Sequence, residues 1–210
     1  MNLAKPFISR IRVGRRRAES VPLYYFFCAH LLGSNRRVDI PKENGKVRTL
    51  QIPCIRDRVV QGALKLILEA IFEADFCPNS YGFRPQRSQH QALAEVRRSV
   101  LRRMSTVVDV DLSKYFDTVR HSILLDKIAK RVQDREVMHL VKQILKAAGK
   151  VGVPQGGPFS PLAANIYLTE IDWMFDAIRR ETAQGPYEAV NYHRFADDRA
   201  PRRREGVFMH

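Results

Sequence analysis

The chain has 210 residues, 45% hydrophobic and 28% charged, proportions that belong to a globular protein with a core and exclude disorder throughout. Thirty-six Lys and Arg stand against 22 Asp and Glu, for a net charge of +14, which points to a polyanionic partner. The basic residues are spread along the chain and are not gathered on one amphipathic helix, so nucleic acid is favoured over a membrane surface.

Cys28, Cys54 and Cys77 are far apart and odd in number. They form neither a disulfide framework nor a metal pair, and the expected setting is reducing and cytoplasmic. The six histidines show no ligand-type spacing, so zinc is not expected.

Residues 1–35 are basic, then apolar, and remain an unassigned N-terminal segment. Val21 to Leu32 follows Arg15-Arg16-Arg17 as a signal peptide's apolar region follows a basic start. It contains His30, lacks a small-x-small cleavage site and is too short to span a bilayer, so it reads as a buried helix or strand. Val38 to Ile40 and Val47 to Ile52 then read as two strands. The turn Lys42 to Lys46 joins them, with Asn44-Gly45 supplying positive φ.

Asp57 to Phe72 carries Val60, Ala63, Leu64, Ile67, Ile71 and Phe72 at three- and four-residue steps, one apolar helical face. Pro78-Asn79-Ser80 breaks the chain, and Tyr81 to Pro85 reads as a structured loop. Ser88 to Leu101 is a second helix with Ser88 as its N-cap. Thr106 to Leu112 is a Val-rich strand, in which period two puts Val108, Val110 and Leu112 on one face and Asp109 and Asp111 on the other. Helices are expected over 121–132 and 134–148. Val153 to Pro158 cannot be regular structure. Ser160-Pro161 opens a long helix, Ser160 as N-cap and Pro161 at the first position, with Leu162, Ile166, Trp173, Ala177 and Ile178 inward. Ala189 to Ala196 leads as a strand into Asp197-Asp198.

Asp111 and Asp197-Asp198 each stand at the end of an expected strand. Two Mg²⁺ ions need hard oxygen ligands, which carboxylates supply. Held about 3.5–4 Å apart, such ions clamp the attacking and leaving oxygens of an in-line phosphoryl transfer. Either piece alone is more often a turn or a solvated surface feature; the surrounding text gives them joint meaning.

Phe195 to Asp198 (FADD) resembles the YADD box of reverse transcriptases, and Asp111 to Phe116 (DLSKYF) resembles their first catalytic motif, an Asp followed five residues later by an aromatic. Pro154 to Leu168 (PQGGPFSPLAANIYL) resembles the PQGG segment of group II intron reverse transcriptases. Arg48 to Phe76 and Asn79 to His90 are similar to their fingers motifs. The likeness runs in chain order over about residues 36–198.

The resemblance implies an α+β fold: fingers over 36–105, with a small hairpin, and a partial palm over 106–198, an antiparallel sheet backed by helices, with the thumb absent. It implies an RNA-directed DNA polymerase that uses two Mg²⁺ ions, an RNA template, a DNA primer, deoxynucleoside triphosphates and an intron RNA, with no membrane. Asp111 and Asp197 are implied as principal metal ligands, with Asp198 adjoining and Leu112 lending its carbonyl. Asp109 shares a face with Asp111, but only Asp111 has the aromatic five residues on. Phe116 is implied to exclude a 2′-hydroxyl, and Tyr115 could be confused with it. Arg48 is implied to grip the triphosphate, helped by Lys42 and Lys46. Gln155 and Gly156 are implied at the nucleotide, and Gly157, Arg84 and Arg87 at the template. Glycines allow close backbone approach there, and the following helix offers its positive end. Arg84 and Arg87 could equally be structural.

Two departures stand out. Residues 1–35 do not resemble the family's N-terminal extension. After Asp198 the chain reads RAPRRREGVFMH, where an apolar return strand is expected; Pro and four Arg are unfit for a buried central strand. Residues 199–210 are therefore expected to be a disordered basic tail, the open reading frame to be truncated or frameshifted, and the chain alone to be weakly active or inactive. Two other functions compete: a non-catalytic, maturase-like RNA-binding fragment, and a two-metal nuclease, against which the fingers motifs argue.

Overall fold

The computed structural model describes residues 35–41, 47–102, 104, 106, 108–110, 112, 115–183, 190–195 and 207–209. Two short sheets and a set of packed helices make a mixed α+β architecture.

Strands β1 (Arg36–Pro41) and β2 (Val47–Ile52) pair antiparallel, Arg36 opposite Ile52 and Pro41 opposite Val47. Pro41 stands at the strand's end, where its missing N–H removes no interior ladder bond. Helix α1 (Ile55–Phe72) buries Asp57, Val60, Gln61, Leu64, Leu68 and Phe72; Val60, Leu64 and Phe72 lie inward as the sequence periodicity expects, but Ile67 is exposed and Leu68 takes the buried place beside it. A 3₁₀ turn (Glu73–Asp75) closes it.

Helix α2 (Gln89–Leu101) begins with a reciprocal cap. The Gln91 amide donates to the Ser88 hydroxyl, and the Ser88 amide donates to the Gln91 side chain. A four-residue helix, α3 (Tyr115–Thr118), precedes α4 (His121–Ala129) and α5 (Arg135–Lys146). The Asp134 carboxylate accepts from the Glu136 and Val137 amides, at 2.9 and 3.0 Å, which fixes the start of α5.

Helix α6 (Ser160–Thr182) enters the core with its N-terminal half. Leu162, Ala163, Ile166 and Leu168 pack in one cluster with Val60, Leu64 and Leu68 of α1, Leu124 and Ile128 of α4, and Leu140, Ile144 and Leu145 of α5. Each fully buried aliphatic side chain contributes about 1.5–3 kcal/mol relative to exposure.

The second sheet holds β3 (Val108–Val110), β4 (Tyr192–His193) and β5 (Val207–Met209), in the order β3-β5-β4. Both neighbours of β5 are antiparallel to it, and Phe208 stands opposite Asp109 on one side and His193 on the other. β3 and β4 therefore run in the same direction.

Three expectations are corrected. The tail 199–210 is not wholly without order: Val207–Met209 supplies the central strand of this sheet. The arginines precede that apolar triplet and lie outside it. Ser160 is the first residue of α6, with Phe159 at the cap position; its hydroxyl donates instead to the Pro154 carbonyl. Trp173 is 39% exposed, because the buried stripe of α6 continues through Asp172 and Asp176. No helix among the described residues is long and apolar enough to cross a membrane.

Candidate functional site

Asp111, Asp197, Asp198, Lys42 and Lys46 lie outside the described residues, and Arg48 and Asp109 are described in backbone only. Among the described residues, no three His, Cys, Asp or Glu are grouped to hold a metal ion. The framework on either side is defined. Asp111 is the residue after β3 in the chain, and Asp197 follows shortly after β4. Those two strands share a partner and a direction. Leu112 is half-buried and packs against the main core.

Helix α3 separates the roles of its two aromatics. Tyr115 is buried, and its hydroxyl donates to the Ala164 carbonyl at 2.8 Å. Phe116 is half-buried and meets Tyr115 edge to face, ring centroids 5.6 Å apart. Tyr115 thus belongs to the core, and Phe116 keeps part of its ring on the surface. The Phe116 carbonyl accepts from the Val153 amide at 2.7 Å.

The loop before α6 is held from both ends. The Gln51 amide of β2 donates to the Gln155 carbonyl at 2.9 Å. The Gln155 side-chain amide donates to Asp117 at 2.7 Å. Gly156 is exposed with φ +116°, a conformation that L side chains rarely adopt. Gly157 is buried, and a Cβ there would lie 2.3 Å from Gln61 Oε1. Gln51, Asp117, Gly152, Val153 and Gln155 line a cleft of about 220 Å³. A wider depression of about 430 Å³, on α2, is lined by that one helix alone and brings no carboxylate together.

Arg84, expected at the template, is taken up by the fold. Its side chain is 4% exposed and bonds Glu73, and it also donates to the carbonyls of Cys77 and Ser80 at 2.6 and 2.7 Å. With its donors occupied inside the protein, it has no free face for a phosphate. Arg87 is exposed, and its guanidinium lies over the Tyr81 ring, 5.6 Å from the centroid.

A buried ionic network, not marked by any motif, ends beside the FADD box. Arg194 is 4% exposed. Its guanidinium makes two bonds to the Asp172 carboxylate, at 2.7 and 2.8 Å. It also donates to Asn165 at 3.0 Å and to the Ser80 hydroxyl at 2.6 Å. The Tyr192 hydroxyl donates to the same carboxylate. Burial pulls the Arg194 pKa down, but the hydrogen bonds and charge of Asp172 outweigh it, and the net shift is upward. Burial, and then the Asp172 charge, push the Tyr192 phenol well above its ordinary value. The signal was present in outline: a charged residue inside an apolar strand, and two aspartates at helical spacing among apolar neighbours, occupy places that are reserved for a core.

Residues 40–200 match the family described as "Reverse transcriptase (RNA-dependent DNA polymerase)". "Protein YkfC" of Escherichia coli (strain K12) is 45% identical over 150 residues, 65% of this chain and 39% of that protein. "Group II intron-encoded protein LtrA" of Lactococcus lactis subsp. cremoris is 40% identical over 147 residues, 65% of this chain and 24% of that protein. "Nuclear intron maturase 1, mitochondrial" of Arabidopsis thaliana is 35% identical over 109 residues, 50% of this chain and 15% of that protein. The chain thus spans well under half the length of these relatives.

Proposed function

The chain belongs to the reverse transcriptase (RNA-dependent DNA polymerase) family, in its group II intron type, and from that premise we propose that it acts in RNA-directed DNA synthesis. On this reading, residues 36–105 are fingers and 106–198 part of the palm. The observation that carries it is a pair of backbone hydrogen bonds. Gln51 of the hairpin bonds Gln155, and Val153 bonds Phe116. Three segments distant in sequence, each assigned to the nucleotide, are thereby tied to one another.

Asp111, Asp197, Asp198 and the Leu112 carbonyl are the donors assigned to metal. They are hard oxygen donors of the kind Mg²⁺ takes, and they follow two strands of like direction, so the donor set fits. Two Mg²⁺ ions, when bound, supply the positive charge that sharpens a primer 3′-hydroxyl and steadies the triphosphate. Arg48, with Lys42 and Lys46, is assigned to the triphosphate. Phe116 is assigned to exclude a 2′-hydroxyl, Gln155 and Gly156 to the nucleotide, and Gly157 and Arg87 to the template. The partners are an RNA template, a DNA primer and deoxynucleoside triphosphates, with an intron RNA as the natural template.

Primer extension on poly(rA) with dTTP and Mg²⁺ tests the reading. The chain alone is expected to incorporate dTTP only weakly, and Asp111→Ala and Asp197→Ala to abolish that incorporation while poly(rA) binding persists. Binding without incorporation, or incorporation indifferent to Asp111→Ala, would replace this reading with that of a non-catalytic RNA-binding fragment. The likeness to an intron maturase keeps that second reading in view.

A further inference from the structure

We propose that Arg194 is a positioning residue that sets the direction in which the chain leaves β4 toward Asp197 and Asp198; this rests on the reading of those aspartates as metal ligands.

Arg194 joins three separate parts of the molecule. Its backbone bridges the turn after the 3₁₀ segment: the Arg194 amide donates to the Asn79 carbonyl at 3.0 Å, and the Tyr81 amide donates to the Arg194 carbonyl at 2.8 Å. Its side chain grips α6 through Asp172 and Asn165, and the same turn through Ser80. Asn165 closes the circuit by donating to the Gly82 carbonyl at 2.8 Å. Ser80, Asn165, Asp172 and Arg194 are all buried.

A buried ion pair is weak support for stability, because apolar side chains of similar volume often serve as well or better. What it does supply is direction. A guanidinium is a planar fork, and two bonds to one carboxylate fix its plane as well as its position. Here the fork is set in β4's own continuation, three residues before Asp197. β4 has only two residues, and its sheet partner β5 has three; a ladder that short cannot hold the strand's exit angle by itself. Catalytic carboxylates must be held within about half an ångström of productive geometry. The Arg194 network is the rigid support within reach among the described residues.

The full chain is titrated with Mn²⁺, followed by the electron paramagnetic resonance of free Mn²⁺, and melted thermally in parallel. The variants are Asp111→Ala, Arg194→Lys, Ser80→Ala and the charge-free pair Arg194→Met with Asp172→Leu. The wild-type chain is expected to bind Mn²⁺, and Asp111→Ala to weaken binding. Arg194→Lys keeps the charge and loses the fork; it is expected to weaken Mn²⁺ binding about tenfold, the usual scale for removing support behind a ligand. The charge-free pair is expected to melt near the wild-type temperature and still bind Mn²⁺ poorly. Ser80→Ala, which removes one hydroxyl, is expected to fold and to weaken binding by a smaller factor. If Mn²⁺ is not bound, or is bound equally by Asp111→Ala, the metal reading itself falls. If Asp111→Ala weakens binding but Ser80→Ala and every folded Arg194 variant match the wild type, the positioning role alone is overturned.

Discussion

Gly152 lies against the backbone of Phe116: a Cβ on it would meet the Phe116 carbonyl oxygen at 2.9 Å, and its φ is +88°. The Gly152 amide donates to the Val119 carbonyl at 2.8 Å, while the Val153 amide holds the Phe116 carbonyl. The contact is with backbone, which cannot swing aside. Left-handed strain for a side chain costs about 1–2 kcal/mol, and overpacking about 1–3 kcal/mol. Gly152→Ala is therefore expected to lower stability by about 2–4 kcal/mol, read by denaturant unfolding. A loss below about 0.5 kcal/mol, the scale of an ordinary surface change, would show that the loop does not press on Phe116.

The division of labour in α3 predicts opposite outcomes for adjacent aromatics. Phe116→Ala is expected to reduce the preference for dTTP over UTP in primer extension by at least about tenfold, or about 1.4 kcal/mol of discrimination. Tyr115→Phe removes a buried hydrogen bond to Ala164. It is expected to cost about 0.5–1.5 kcal/mol of stability and to leave the nucleotide preference alone. Preference lost with Tyr115→Phe but kept with Phe116→Ala would reverse the assignment.

Arg84 and Arg87 should separate in the same way. Arg84→Ala leaves Glu73 and the Ser80 carbonyl without their Arg84 donor, while the Cys77 carbonyl keeps the Ser80 amide; Glu73 is 31% exposed and partly rehydrated, so the cost is expected at about 3 kcal/mol, the low end of the range for a broken buried pair. The salt dependence of RNA binding by the folded variant should not change. Arg87→Ala is expected to leave the melting temperature alone and to flatten the logarithmic salt slope of RNA affinity by about one unit. Equal slopes for the wild type and Arg87→Ala would remove Arg87 from the template surface.

Asp176 supplies a dependence on pH. Burial raises its pKa, but the hydrogen bonds from Arg179 and Arg180 outweigh burial and leave it below the ordinary carboxylate value. A depressed carboxylate binds protons more readily when unfolded. Its stabilisation is present above about pH 4 and is lost as pH falls through its folded pKa. The wild type is thus expected to lose thermal stability more steeply than Asp176→Asn between pH 5 and the acid limit of solubility. Parallel curves would mean that the two arginines do not hold the charge.

What was legible in the sequence was local or periodic. The apolar steps of 57–72 give α1, and Ser88 marks the start of α2 because a cap works through residues three apart. The hairpin was legible because Asn44-Gly45 separates two strand-like runs. The roles of charged residues in the interior were not. Arg84 meets Glu73 eleven positions away, and Arg194 meets Ser80 across 114; only tertiary packing makes those pairs. Asp172 and Asp176 complete the buried stripe of α6, which a count of apolar residues misses. Of the candidate site, Phe116, Gln155, Gly156 and Gly157 gather around one loop, Arg84 leaves the set, and the three aspartates lie outside the described residues.

The place of β5 between β3 and β4 bears on the order in which the protein is made. Neither motif strand is hydrogen-bonded to the other; each is completed by Val207–Met209. During synthesis the hairpin and the helices can pack as they emerge from the ribosome, in the usual amino-first sequence. The ladder that joins the two motif strands can close only after residue 209 has been released.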